Sequence, residues 1–221
     1  MIQNIAEFID HTNLKQDATE ADIRRLCQES IDYNFYSVCI NPCYVHLAKT
    51  ILQQRDKRIC SVIGFPLGAS KTVSKLQESM LAIQDGAHEL DMVANISWIK
   101  EHKYKKLESA ISEIRKNIPY NIILKVIVES SQLTDIEIRE MTKVVMNSSA
   151  DYIKTSTGFF GGATVSAVEI MAKTAKDKIK VKASGGIKTL SDCNKMISAG
   201  ASRIGCSSSV AIVDEFQKKN V

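Results

Sequence analysis

No apolar run in this chain approaches the roughly 18 residues that a membrane-spanning helix needs, which argues against a membrane partner. The start, Met1-Ile2-Gln3-Asn4-Ile5-Ala6-Glu7, carries an acid and lacks an apolar core, unlike a secretory leader. The six cysteines (Cys27, Cys39, Cys43, Cys60, Cys193 and Cys206) form no Cys-x-x-Cys pair, and nothing near Cys39 and Cys43 offers a second ligand pair. His11, His46, His88 and His102 show no metal-ligand spacing either, so neither a metal nor any other cofactor is expected. The thiols are read as reduced, in a cytoplasmic protein. The net charge of +4 is spread along the chain without a basic run, which gives nucleic-acid binding little support. There is no low-complexity linker and no compositional break, so residues 1–221 are read as a single domain. Nothing resembles a dinucleotide-binding fingerprint.

What the chain has is a repeated strand–helix rhythm. Strands are read at 8–12, 36–41, 59–66, 89–95, 122–129, 151–158, 179–184 and 203–206. Helices follow each of them: one capped by Thr19, one at 45–52, one at 71–84 closed by Asp85-Gly86, and helical segments up to about 116. Thr134 and Thr164 cap the next two, 190–198 is another, and the last begins near 208. Eight such units, with parallel strands implied by every crossover, favour a closed (β/α)8 TIM barrel of the α/β class. An open doubly wound sheet is the alternative.

Two of the strands carry a lysine in their interior. Asp151-Tyr152-Ile153-Lys154-Thr155-Ser156-Thr157-Gly158 and Ile179-Lys180-Val181-Lys182-Ala183-Ser184-Gly185-Gly186 lie one βαβ repeat apart, so their strands should be parallel neighbours. An ammonium inside a buried strand is expensive unless it is paired or faces a cleft. Two such cations side by side repel, and repulsion lowers a lysine pKa. A partly neutral amine can form a Schiff base with a carbonyl. The alternative is a structural lysine paired with an acid. Asp10, Asp91 and Lys125 also sit on strands at inward-compatible positions, and three lysines with two acids converging on the barrel mouth form a candidate site. The ends of strands seven and eight, Gly185-Gly186 and Gly205 with Ser207-Ser208, have the small residues with which barrel loops bind phosphate, although ordinary tight turns would use glycine too.

Lys154-Thr155-Ser156-Thr157-Gly158-Phe159 and Val181-Lys182-Ala183-Ser184-Gly185-Gly186-Ile187 resemble the signatures of the deoxyribose-phosphate aldolase family. Ile9-Asp10-His11-Thr12, Ser37-Val38-Cys39-Ile40-Asn41-Pro42, Val62-Ile63-Gly64-Phe65-Pro66-Leu67-Gly68, Glu89-Leu90-Asp91-Met92-Val93 and Leu124-Lys125-Val126-Ile127-Val128-Glu129 are similar to family segments in the family's order. The resemblance spans nearly the whole chain. It implies a class I aldolase on a TIM barrel that cleaves 2-deoxy-D-ribose 5-phosphate to glyceraldehyde 3-phosphate and acetaldehyde. It places the Schiff-base lysine at Lys154, the second lysine at Lys182 and the proton-relay aspartate at Asp91. Asp10, Cys39 and Lys125 become supporting residues. Gly158, Gly185, Gly186, Gly205, Ser207 and Ser208 become the phosphate site. Cys206, where many members have threonine, and Ser130-Ser131 depart from the family pattern. The expected partner is a small phosphosugar, with a homodimer as the candidate assembly. A phosphosugar-binding barrel without catalysis and another Schiff-base barrel enzyme, transaldolase-like or thiazole synthase-like, are the competing readings.

Overall fold

The structure is a computed structural model and describes residues 3–55 and 57–219. Its strands are β1 (Ile9–Asn13), β2 (Ser37–Ile40), β3 (Arg58–Ile63), β4 (Glu89–Val93), β5 (Ile123–Ile127), β6 (Tyr152–Lys154), β7 (Lys180–Ser184) and β8 (Arg203–Cys206). They pair in parallel and in sequence order, and β8 closes back onto β1, so the expected (β/α)8 TIM barrel is the fold. The helices are α1 (Glu20–Asp32), α2 (Val45–Leu52), α3 (Thr72–Asp85), α4 (Ile96–Lys100), α5 (Tyr104–Asn117), α6 (Asp135–Asn147), α7 (Val165–Ala175), α8 (Leu190–Ser198) and α9 (Ser209–Lys219).

Local chemistry sets the helix ends. Thr19 and Thr134 each accept a backbone N–H from three residues on, while Asp22 and Glu137 reach back to the threonine N–H. Each such cap stabilises its helix by about 1 kcal/mol. Thr189 and Asp192 repeat the arrangement ahead of α8. Gly86 ends α3 with φ of +115°, a conformation that glycine adopts without penalty. Several strands are shorter than read from the sequence. The residues after β3, β5 and β6 leave the ladder early to build the loops of the barrel mouth.

Side chains alternate across the strands, and the alternation separates two interiors. The outward set, including Val38, Ile40, Leu90, Leu124, Ile153 and Ile204, packs with helix residues such as Ile23, Leu107 and Met141 into the main apolar core. The inward set is different. A TIM barrel is usually filled by branched aliphatic side chains. Here a small apolar cluster on the β2–β3 side holds Cys39, Cys60 and Val62, with Leu14 and Phe65 against them. Beside it the interior carries a large buried charged cluster.

Candidate active site

Asp91, inward on β4, is the centre of that charged interior. Its Oδ2 accepts hydrogen bonds from Lys154 Nζ on β6 and Lys182 Nζ on β7, both at 2.7 Å, and its Oδ1 accepts one from Lys125 Nζ on β5 at 2.8 Å. Lys154 and Lys182 are neighbours in register, as the spacing of their segments requires. They do not confront each other bare, because one carboxylate oxygen accepts a hydrogen bond from each. Lys182 also meets Asp10 Oδ2 at 2.5 Å, and Lys125 meets Glu89 Oε2 at 2.5 Å. Arg203, inward on β8, reaches Asp10 Oδ1 at 2.6 Å, where Ser37 Oγ donates as well at 2.7 Å.

The electrostatics follow from burial set against pairing. Burial alone would raise the Asp91 pKa, but Lys125, Lys154 and Lys182 together hold it well below the carboxylate range. Asp10 is lowered in the same way, with Lys182 and Arg203 overcoming the cost of burial. Burial disfavours the ammonium of Lys182, yet Asp10 and Asp91 raise its pKa well above that of a free lysine. Lys125 is likewise raised, chiefly by Asp91 against burial. Both amines therefore stay cationic at neutral pH. Beside them, a hydrogen bond from Cys60 draws the Cys39 thiol down to about 7 against the effect of burial, while burial and that same bond push Cys60 well up.

Asp10 and Lys125, expected at the barrel mouth, are fully buried below it. Lys154 alone of the three lysines borders open space, a cavity of about 300 Å³ lined also by Gly158, Gly185, Gly186, Gly205 and Ser207. Ser208, grouped with them from the sequence, is not part of its lining. Gly205 has a second reason to be glycine: a Cβ there would lie 3.1 Å from Lys182 Cε, so the missing side chain leaves room for the lysine stem. Two basic residues at the cavity, Lys15 and Lys188, were not singled out from the sequence. Neither were Glu89 and Arg203, although each stands two positions from an inward residue, Asp91 and Gly205, and period two would have placed both inside.

Glu129, just beyond β5, was also passed over. It has φ of +56°, uncommon for a non-glycine residue and a mark of functional sites. Its carboxylate accepts from Thr157 Oγ1 at 2.5 Å and from the Thr157 N–H, which fixes the loop that leaves Lys154. Among the described residues, Cys39, Cys60 and Asp91 place donor atoms within 4.8 Å of one another. A cation entering there would have to displace the Lys125, Lys154 and Lys182 amines already bonded to Asp91 and would face the cationic Lys125 and Lys182, so the set does not suit a metal ion.

The fold and the site together define a TIM-barrel enzyme with a buried lysine–carboxylate cluster in the barrel interior, bordered by a cavity at Lys154, the last residue of β6. The chain matches the DeoC/LacD family aldolases over residues 5–214 and belongs to the deoxyribose-phosphate aldolases; it is an aldolase, and so a lyase. It is 44% identical to a deoxyribose-phosphate aldolase of Caldanaerobacter subterraneus subsp. tengcongensis, covering 100% of this chain and 96% of that one. It is 48% identical to another from Natranaerobius thermophilus, covering 96% and 97%. Among solved structures, an aldolase described as QR15 superposes with a TM-score of 0.94 at 41% identity, covering 99% and 98%. A deoxyribose phosphate aldolase from Aeropyrum pernix, described as having a unique tetrameric structure, gives 0.90 at 34%, covering 97% and 92%. No helix among the described residues is long and apolar enough to cross a membrane.

Proposed function

We propose that this aldolase reversibly cleaves 2-deoxy-D-ribose 5-phosphate to D-glyceraldehyde 3-phosphate and acetaldehyde, with Lys154 as the Schiff-base nucleophile. One observation carries the choice of lysine. Lys125 and Lys182 are fully buried, and each is clamped between two carboxylates, Glu89 and Asp91 for one, Asp10 and Asp91 for the other. Lys154 has an ion-pair contact to Asp91 only, and its amine faces the cavity.

The Lys154 amine adds to the open-chain aldehyde C1, and loss of water gives the iminium. Removal of the C3 hydroxyl proton breaks C2–C3, releasing glyceraldehyde 3-phosphate, and the electron pair is taken up by the iminium to leave an enamine on Lys154. Protonation at C2 and hydrolysis then free acetaldehyde and restore the amine. Asp91 is suited to the proton transfers because one oxygen lies 2.7 Å from both Lys154 and Lys182. The Lys182 ammonium supplies a fixed positive charge beside the reacting nitrogen. The phosphate would lie over the loops after β6, β7 and β8, where Gly158, Gly185 and Gly186 present left-handed backbone and Ser207 a hydroxyl. Lys188 adds a cation there.

Reductive trapping tests the reading. Acetaldehyde with cyanoborohydride should leave an ethyl group on Lys154, found by mass spectrometry of the digest. Lys154→Ala should abolish both the label and cleavage, a loss of about 10³-fold or more. Label on Lys182 or Lys125 instead would reject the assignment. Activity should survive prolonged EDTA, and a loss that zinc restores would reject the metal-free mechanism.

A further inference from the structure

The buried carboxylate of Glu129 is directed at a single residue of the next loop. Thr157 Oγ1 donates to it at 2.5 Å, and the Thr157 N–H lies 3.3 Å from each of its oxygens. The backbone explains how it gets there. In an unbroken parallel ladder, N–H groups two residues apart meet carbonyls two residues apart. Here the Val128 N–H bonds to Lys154 O at 3.1 Å and the Ser130 N–H to Thr155 O at 2.8 Å, which are consecutive carbonyls. Glu129 is the extra residue between them, at φ of +56°. A bulge of this kind re-aims a side chain and is common beside active sites.

The same loop after β5 grips the loop after β6 at a second place. Ser131 Oγ and Gln132 Nε2 both donate to Phe160 O, each at 3.0 Å. A Cβ on Gly161 would lie 2.5 Å from Ser131, so the two loops touch with no room for a side chain. Further along, the Ala163 N–H bonds to the carbonyls of Ser184 and Gly185 at the end of β7. Thr157 Oγ1 also accepts the Phe159 N–H at 3.1 Å, which closes a turn around Gly158 at φ of +89°. Thr157, Gly158 and Phe159 line the cavity beside Lys154, whereas Glu129, Ser131 and Gln132 stand behind them.

We propose that Glu129, supported by Ser131 and Gln132, is a positioning residue that holds residues 157–160 in the shape that receives the substrate phosphate. The inference rests on the phosphate lying over the loops after β6, β7 and β8. Backbone N–H groups bind an anion well only when several are aimed together, and a loop turning at glycine has many other shapes open to it unless something holds it. Fixing that loop before the substrate arrives lowers the ordering cost of binding. Glu129 also interacts electrostatically with Lys154, so a direct effect on the amine must be told apart from positioning. Ser131 and Gln132 make the distinction possible, because both are uncharged and exposed and reach the loop through Phe160 alone.

The split between KM and kcat separates this role from simple support of the fold. Both constants are to be measured for deoxyribose 5-phosphate and for deoxyribose, in the wild type, in Glu129→Gln and in the double variant Ser131→Ala/Gln132→Ala, with melting curves to select folded protein. A phosphate contact made equally in the ground and transition states moves KM and spares kcat. Glu129→Gln should therefore raise KM for the phosphorylated substrate about tenfold, with kcat within about threefold of the wild type. The double variant should raise the same KM about threefold, and neither should change kcat/KM for deoxyribose by more than about twofold. If Glu129→Gln does not fold, the double variant decides. Equal losses with both substrates, a fall in kcat at unchanged KM, or an effect confined to Glu129→Gln would overturn this inference alone. A wild type that handles deoxyribose as well as its 5-phosphate would overturn the placement of the phosphate first, and this inference with it.

Discussion

Lys182 and Lys75 are both buried, one inside the barrel and the other between its wall and α3, and they are held in opposite ways. Lys182 sits between the carboxylates of Asp10 and Asp91. Lys75 donates instead to two backbone carbonyl oxygens, of Gly68 at 2.7 Å and Val93 at 2.6 Å. Carboxylates overcome the cost of burial and raise the pKa of Lys182. Carbonyl dipoles do not, so burial brings Lys75 down to about 8, with Glu78 offsetting only part of it. Burial therefore does not decide the state of an amine, and the formal charge of its partner does. The barrel interior is built to retain cations at fixed points. The outer layer uses a lysine as a tie, joining the loop after β3 to the end of β4, two residues beyond Asp91.

The largest effect should come from breaking the interior arrangement. Lys182→Met leaves Asp10 and Asp91 short of a partner and should cost about 3–5 kcal/mol in urea unfolding at pH 7. A cost below about 1 kcal/mol would mean that Lys182 is no more tightly integrated than a surface lysine.

A pH series addresses the outer lysine. Its folded pKa of about 8 lies below the 10.5 of an ordinary lysine, so between these values the unfolded chain binds the proton and the folded one does not. Stability should then rise with pH across that window, by up to about 3 kcal/mol relative to Lys75→Met. A paired lysine such as Lys182 contributes the other sign, stability that is lost once the pH passes 10.5. A difference between wild type and Lys75→Met that stays flat from pH 8 to 10 would show that Lys75 is not held in the way described.

Smaller still is the expected effect of Lys188→Ala, at the open cavity. It should raise KM for deoxyribose 5-phosphate about tenfold, or about 1.4 kcal/mol, and leave unphosphorylated deoxyribose nearly unchanged. Equal losses with both substrates would remove Lys188 from the phosphate site. The smallest effect on stability is expected of Lys154→Met. Lys154 has one carboxylate contact where Lys182 has two, and Asp91 keeps Lys125 and Lys182 without it, so its loss should change the unfolding free energy by less than about 1 kcal/mol while ending catalysis. A penalty as large as that of Lys182→Met would place Lys154 among the structural cations.

Much of this molecule is legible in local pattern. Thr19, Thr134 and Thr164 mark helix starts because a threonine hydroxyl satisfies free backbone N–H groups, whatever the rest of the chain does. The limits of α2 and α8 were readable to the residue, since apolar spacing and flanking turn residues coincide there. Lys154 and Lys182 were conspicuous because a charge inside a buried strand contradicts its surroundings. The Glu89 and Arg203 pair was not conspicuous, since each stands at the first residue of its strand, where a charged side chain reads as solvent-facing. Ser208 was grouped with Ser207 by adjacency, but only Ser207 lines the cavity.

By itself, then, the sequence determined the eight-unit rhythm, the strand positions of the lysines and aspartates, and the family to which the chain belongs. These follow from interactions between residues a few positions apart and from motifs read directly. Only the closed barrel decided which charges meet. Closure brings Asp10 on β1 against Arg203 on β8, and it lets one oxygen of Asp91 serve both Lys154 and Lys182. It also leaves Lys154 with a single carboxylate contact at the edge of open space. Those relations depend on side chains from different strands meeting to within fractions of an ångström, and no spacing along the chain encodes them.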